Sequence, residues 1–461
     1  MYHDDNLPMP SVFLSLIPIA VVVAVLGFSV FVAEAEPHIA LFLGAVTAGL
    51  AAYRHGYTWN TIEEGFKDSI NRAISSLIIL LIIGMIIGVW IASGIVPAMM
   101  YYGFEILVPE WFLPIILILC SIMSVVTGSS WTTIGTIGVA ALGIGQGLGI
   151  PPAAIAGAVV SGAFFGDKIS PMSDSTNLTP SVLGVDLYDH IKHMLYTTVP
   201  SFIISLIVFG VMGWFLSEGT VDAETIASYQ NILSENFEFS LLLLLPPVVV
   251  VALILRKTPA IPSLIAGVML GGFVLLNVQG HSLEDFLHIL YDGFVIQTGW
   301  EEMDELLSTG GMTSMYSVVS LGIMALAFGG IMNRCNMLRA LVSKMTGLVG
   351  ARGRLTATTI VTALLINIFG ANQYLAVIIP GQMFEGAYKR LGLKLNNLTR
   401  ALEAGGTLTA PLIPWNSSGA FVISVMAVNP LVFAPYAVLC WITPLITMIY
   451  GFVNFKMDNI A

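Results

Sequence analysis

This chain of 461 residues has very little charge: Asp, Glu, Lys and Arg make up 10 % of it, against about 25 % in an ordinary soluble domain. Basic charge is scarcest, with 17 Lys and Arg against 28 Asp and Glu and a formal net charge of -11. No basic footprint exists for a phosphate backbone, so a nucleic-acid partner is excluded. The three cysteines, Cys120, Cys335 and Cys440, lie apart in apolar sequence. They offer neither metal-ligand spacing nor a disulfide framework and read as buried small hydrophobes. Walker and dinucleotide-binding glycine motifs are both missing. No nucleophile-base-acid order stands out, so the chain does not read as an enzyme and implies no cofactor.

What remains is apolar. The hydrophobic set supplies 56 % of the residues and mean hydropathy is +0.89. At about 20 residues per crossing, the length accommodates roughly ten to twelve spans. The expected fold is an all-α polytopic membrane protein, one integral domain over 1–461. The first apolar run begins at Ser11, a second at His38, and a third covers about Ser75 to Ile95. Asn60 to Arg72 is mixed in character and is expected to lie at the membrane interface. Further apolar stretches begin near Trp111, Pro151, Met194, Phe239, Pro262, Met312, Thr358, Thr407 and Leu431.

Charge sorts the loops. Glu218 to Glu238 holds five acids and Glu284 to Glu305 holds seven, with no Lys or Arg in either. Basic residues gather at Arg54, Lys67 and Arg72, at Lys192, at Arg256 and Lys257, and from Arg334 to Arg354. The positive-inside rule makes those loops and the N-terminus cytoplasmic and the acidic loops external. A further basic group, Lys389 to Arg400, implies that Thr358 to Pro380 is a hairpin or re-entrant pair.

Four polar clusters interrupt the apolar runs, at 127–133, 166–176, 369–374 and 407–419. Backbone in lipid must satisfy its own hydrogen bonds, so such breaks belong where protein or water surrounds them. Broken spans of this kind are an ion-binding device of secondary transporters. An offset of 242 residues lays the first two clusters over the last two. That spacing suggests an inverted internal repeat with cores at 111–217 and 355–451.

Asp174 is the sharpest candidate. A carboxylate in a buried broken span is costly unless paired, protonated or bound to a cation. Na⁺ and H⁺ competing for that one carboxylate yield antiport directly. Asn416, its counterpart under the offset, offers Na⁺ a neutral oxygen. Supporting ligands are expected from Ser175 and Thr176, from Ser129, Ser130 and Thr133, from Asn372 and Gln373, and from Ser417. Asp167 and Glu403 are further coupling candidates; each is equally a boundary acid, beside Lys168 and Arg400 respectively. His190 and His193 titrate near neutral pH but read first as part of an interfacial amphipathic helix.

Several stretches resemble the NhaC family of bacterial Na⁺/H⁺ antiporters. They are TGSSWTTIGT (Thr127 to Thr136), GAFFGDKISPMSDSTNLTP (Gly162 to Pro180), DLYDHIKHMLYTTVP (Asp186 to Pro200) and LAFGGIM (Leu326 to Met332). The resemblance implies exchange of cytoplasmic Na⁺ for external H⁺ across the plasma or inner membrane of a prokaryote, serving sodium and pH homeostasis. Related malate–lactate antiporters keep a small dicarboxylate or lactate open as a further substrate, and a homodimer is left open.

Overall fold

The computed structural model describes residues 9–31, 38–106, 108–217, 223–256, 258–300, 303–304, 307–343 and 351–460. Helices dominate. Among the described residues the only β pairing is an isolated bridge between Leu393 and Asn459. Parts of both acidic stretches (218–222, 301–302 and 305–306), with Lys257 and Lys344, lie outside the described residues.

The first half begins with α1 (Val12–Phe31), α2 (His38–Arg54), α3 (Trp59–Ala92) and α4 (Ile95–Ile106). The expected interfacial segment Asn60–Arg72 is the first part of the continuous 34-residue α3, opened by the Thr58 cap. No proline or glycine pair divides it from the apolar run, so helical hydrogen bonding continues through. A bend of 66° separates α3 from α4, where Gly94 adopts φ +77°. Next come α5 (Pro109–Thr127), α6 (Ser130–Thr133), a π-turn over Ile134–Gly138 and α7 (Val139–Gly147). Then follow α8 (Pro152–Ile169), α9 (Asp174–Leu183) and α10 (Leu187–Ser217). Proline opens α5 and α8, at the position where its missing N–H costs no intrahelical bond.

The middle of the chain supplies α11 (Ala223–Asn236), α12 (Leu245–Leu255), α13 (Ala260–Asn277) and α14 (Leu283–Asp292). The last part holds α15 (Tyr316–Arg334), α16 (Met337–Ser343), α17 (Arg352–Gly370), α18 (Gln373–Arg390) and α19 (Leu395–Leu402). A second π-turn (Glu403–Thr407) leads to α20 (Ser417–Met426), α21 (Pro430–Phe433) and α22 (Val438–Val453).

Among the described residues, four helices are long and apolar enough to cross a membrane, or six counting the bent pairs α3–α4 and α8–α9 as one span each. Six more apolar helices have 10–17 residues. The sequence count of ten to twelve is reached only when these shorter helices are counted as crossings, and one of them, Ser417–Met426, starts inside a polar break. α17 and α18 pack against each other across the break at Ala371–Asn372, so the region from Thr358 to Pro380 is two helices.

The α5–α8 contact shows how the core closes. A Cβ at Gly162 would lie 2.5 Å from the Leu117 carbonyl oxygen, and one at Gly166 would lie 2.5 Å from that of Ser121. Small residues at these positions let the backbones approach closely, the usual route to helix association in lipid. α10 packs on α5 and also on α22, and α22 packs on α17, which joins the two halves. All three cysteines are buried and free.

Candidate functional site

Each polar cluster ends one helix and caps another. After α5, Gly128 takes a left-handed conformation (φ 66°). The extended Ser129 then caps α6, its Oγ accepting from the Thr132 N–H at 3.2 Å. After α17 the same sequence of conformations recurs: Ala371 is left-handed (φ 50°) and Asn372 is extended. Asn372 Oδ1 accepts from the N–H groups of Tyr374 and Leu375 at 2.9 and 3.2 Å. Ser173 caps α9 through the Thr176 N–H at 3.3 Å, and Asn416 caps α20 through the Ser418 N–H at 3.1 Å. Ser129 and Asn372 are 243 residues apart, as are Ser173 and Asn416. Backbone role therefore aligns the clusters one residue away from the pairing by residue type. This register also brings Pro171 onto Pro414, and it sets Asp174 opposite Ser417 and Asn416 opposite Ser173.

The breaks meet in pairs. A Cβ on Gly128 would lie 2.6 Å from the Met172 backbone, and Ser170 Oγ donates to the Val125 carbonyl at 2.6 Å. These contacts join the first break to the second. The third and fourth are joined by the Ser417 N–H donating to the Ala371 carbonyl at 3.1 Å and by Ser418 Oγ donating to Gln373 Oε1 at 3.0 Å. Between the two pairs, the Trp131 and Phe421 rings stack at 4.5 Å with 9° between planes. Tyr374 Oη donates to Asp174 Oδ2 at 2.6 Å, and Thr179 Oγ1 donates to Glu403 Oε1. A small cleft beside this seam is lined in part by Trp131, Asn372, Gln373, Tyr374 and Ser417.

The carboxylates occupy different depths. Asp174, expected to be buried, is exposed. It is the first residue of α9, immediately after the exposed Pro171–Met172 bend, and its Oδ1 accepts from the Ser175 N–H at 3.0 Å. Asp167, one turn before the break, is only 3 % exposed. Its Oδ2 accepts from Ser130 Oγ at 2.7 Å, while its Oδ1 has no partner. Glu403 is fully buried in the second π-turn, and its Oε2 is likewise unpartnered. Lys168 is fully buried too, with no hydrogen-bond partner for its ammonium.

The hydroxyls divide by role. Thr176 Oγ1 donates to the carbonyls of Asp167 and Lys168 at 2.8 and 3.0 Å, tying the start of α9 to the end of α8. Ser175 Oγ lies 3.0 Å from Ser173 Oγ. Thr133 Oγ1 bonds back to the Ser129 carbonyl at 3.0 Å, a common helical use of threonine. Asn416 Nδ2 donates to Asn367 Oδ1 at 3.1 Å, and Asn367 Nδ2 donates to Thr409 Oγ1 at 3.0 Å. Asn367, Thr179 and Tyr374 were not expected from sequence. Each had a weak signal: a lone amide in the apolar run TALLINIFG, a threonine one turn after Ser175, and the aromatic end of the third cluster.

His190 and His193 begin the long α10 and are 0 % and 2 % exposed, on its inward side, while Asp189 and Lys192 on the same turns are exposed. The helix turns both toward α19, where His190 Nδ1 pairs with Thr399 Oγ1 at 2.8 Å. Among the described residues, no group of three or more His, Cys, Asp or Glu side chains is placed to hold a metal ion. The oxygens gathered at the breaks are hard ligands of the type that suits an alkali cation in transit.

The comparisons with known proteins agree with this architecture. The sequence profile of the Na⁺/H⁺ antiporter family matches residues 8–176 and 162–455. The chain is 40 % identical over 441 residues to the Na⁺/H⁺ antiporter NhaC of Alkalihalophilus pseudofirmus, covering 95 % of each protein. It is 36 % identical to the malate-2H⁺/Na⁺-lactate antiporter of Bacillus subtilis, covering 96 % of this chain and 95 % of that one. It is also 36 % identical to the arginine/ornithine antiporter ArcD of Halobacterium salinarum, covering 99 % and 95 %. Carrying these broken helices along almost the full length of its relatives, the chain is a member of the Na⁺/H⁺ antiporter family.

Proposed function

We propose that this protein exchanges cytoplasmic Na⁺ for external H⁺ across the plasma membrane of a prokaryote, with its N-terminus in the cytoplasm. The observation that carries this reading is Asp167: an enclosed carboxylate with one oxygen on Ser130 and the other free. An ionised carboxylate with an empty coordination position is unstable in a low-dielectric interior. Na⁺ or H⁺ relieves the charge, and the two exclude each other at that oxygen. Binding one therefore expels the other, and access alternating between the two sides turns the competition into exchange.

Asp174, held by Tyr374 at the exposed end of the same break, serves as the first carboxylate met by an entering cation. Ser129, Ser130, Ser175 and Thr176 supply oxygens around the first two breaks. Asn372, Gln373, Asn416 and Ser417 supply them around the other two, with Asn416 as a Na⁺ ligand. In this reading 111–217 and 355–451 are repeated cores that rock against one another across the Trp131–Phe421 contact. The test is flux in reconstituted vesicles with Na⁺, Li⁺, K⁺, malate and lactate supplied separately. Proton movement driven by Na⁺ alone supports the reading. Proton movement that requires malate or lactate as well overturns it in favour of carboxylate-coupled exchange, the activity named for the Bacillus subtilis relative.

A further inference from the structure

The amides beside the fourth break form a chain with a direction. It starts at two backbone carbonyls of the second π-turn. Gly405 accepts from Thr409 Oγ1 at 2.6 Å, and Gly406 accepts from Asn367 Nδ2. A carbonyl can only accept, so the amide nitrogen of Asn367, not its oxygen, turns to the π-turn. The Thr409 hydroxyl has given its proton to Gly405, so it too accepts from Asn367 Nδ2, at 3.0 Å. Oδ1 of Asn367 is left for α20. There it accepts from Asn416 Nδ2 at 3.1 Å, and the Asn367 carbonyl accepts from the same nitrogen at 3.2 Å. Asn416 Nδ2 thus finds both of its acceptors on Asn367. That orientation leaves Asn416 Oδ1 at the head of α20, accepting from the Ser418 N–H at 3.1 Å with Ser417 Oγ 3.5 Å away.

For a cation this direction decides the contact. An amide carries an acceptor oxygen on one side and two N–H donors on the other. Turned over, Asn416 would present N–H groups to the break and repel Na⁺. Asn367 and Asn416 are both fully buried, so water does not replace a lost partner, and an unpaired amide there is costly. The first half makes the same backbone tie without the relay. Ser124 Oγ donates to the Ala163 carbonyl at 2.6 Å. Ser124 and Asn367 are 243 residues apart, as are Ala163 and Gly406. The serine side chain makes that tie alone, whereas the asparagine passes its polarity on to a second amide.

We propose that Asn367 is a positioning residue for Na⁺: acting through Asn416, it fixes the amide of the fourth cap with its oxygen toward the exchanged ion. This rests on the antiport reading above and deepens it, because it says what makes the neutral half of the site an oxygen ligand.

The experiment is a double-variant cycle in the full chain, reconstituted in vesicles of phosphatidylethanolamine and phosphatidylglycerol. The half-saturating Na⁺ for proton movement is measured at one fixed pH for the unmodified protein, Asn367→Ser, Asn416→Ala and the two combined. Serine is chosen because Ser124 shows that it can hold the backbone tie. Asn367→Ser should raise half-saturating Na⁺ by about fivefold, and should raise it no further once Asn416 is alanine. A residue that only supports the fold would act chiefly on maximal flux, and equally in both backgrounds. Equal effects in the two backgrounds, or unchanged half-saturating Na⁺ in Asn367→Ser, overturn the proposal. If Asn367→Ser does not fold, Asn367→Thr, with the same hydroxyl and more bulk, takes its place in the cycle; failure of both overturns the proposal, since the residue then serves folding and not the ion. Unchanged half-saturating Na⁺ in Asn416→Ala removes the ligand, and the positioning role with it. Absence of Na⁺-driven proton movement in the unmodified protein is a separate result, which overturns the antiport reading itself and this inference with it.

Discussion

The first pair of breaks and the second share backbone conformations but not chemistry. Around Ser129 and Ser173 the enclosed groups are ionic and incompletely satisfied: Asp167 has a free oxygen and Lys168 a free ammonium. Around Asn372 and Asn416 the amides and hydroxyls close on one another, Asn416 on Asn367, Asn367 on Thr409, and Ser418 on Gln373, and two unsatisfied atoms of that half, Glu403 Oε2 and Thr407 Oγ1, lie in the π-turn before Asn416. None of the enclosed side-chain atoms of Asn367, Thr409, Asn416 and Ser418 lacks a partner. Buried polar networks that are fully satisfied rigidify, and partly satisfied ones stay open to a ligand. The amide network is thus suited to holding helix ends, while the enclosed carboxylates of Asp167 and Glu403 each keep an open position.

Removing the free oxygen strikes the contrast hardest. Asp167→Asn keeps a partner for Ser130 but takes away the exchangeable charge. Na⁺-dependent proton flux in vesicles is expected to fall by about 100-fold or more, about 2.7 kcal/mol of lost coupling; flux within threefold of the unmodified protein would remove Asp167 from the centre of the mechanism. The left-handed residues offer the next comparison. Gly128→Ala adds a left-handed penalty of about 1–2 kcal/mol and a Cβ 2.6 Å from the Met172 backbone. Thermal unfolding in detergent should come several degrees earlier. Ala371→Gly, at the same conformational position, removes such a penalty and should shift the midpoint little, since the gain is offset by greater freedom of the unfolded chain. Equal effects from the two changes would show that the paired breaks do not share a backbone constraint.

Asn416→Ala tests whether the amide network also touches the ion. Apparent Na⁺ affinity should weaken by about tenfold, near 1.4 kcal/mol, with the pH dependence of flux largely retained; an unchanged affinity would leave Asn416 as a helix cap only. Asp174→Asn carries the smallest expected effect. An exposed carboxylate at the entrance is screened by water, so apparent Na⁺ affinity should change by about threefold while maximal flux persists. Loss of all flux would return Asp174 to the leading position that the sequence suggests for it.

Much of this was legible beforehand because bilayer chemistry punishes polar backbone. The four clusters stand out against apolar sequence, and each terminates and caps helices in the structure. The depth of individual residues was less legible. Asp167 and Asp174 differ in position by less than two helical turns of sequence, yet the bend at Pro171–Met172 places one inside and the other outside. Sequence pattern does not report where such a bend sends the chain. Glu403 and Arg400 looked like a loop pair because basic residues precede them, but they sit on the inward side of α19 and its π-turn, contacting Thr179 and the C-terminal segment respectively. The one-residue change of register has a similar origin: conformation, not residue identity, is what the two halves have in common.

The stacked rings of Trp131 and Phe421 have one more consequence. An indole held flat against a neighbouring ring at 4.5 Å is an optical gauge at the boundary between the break pairs. Its emission depends on the ring beside it and on whether water reaches it. A variant retaining Trp131 as its sole fluorophore would therefore carry its own spectroscopic readout of the transport cycle, without any attached label.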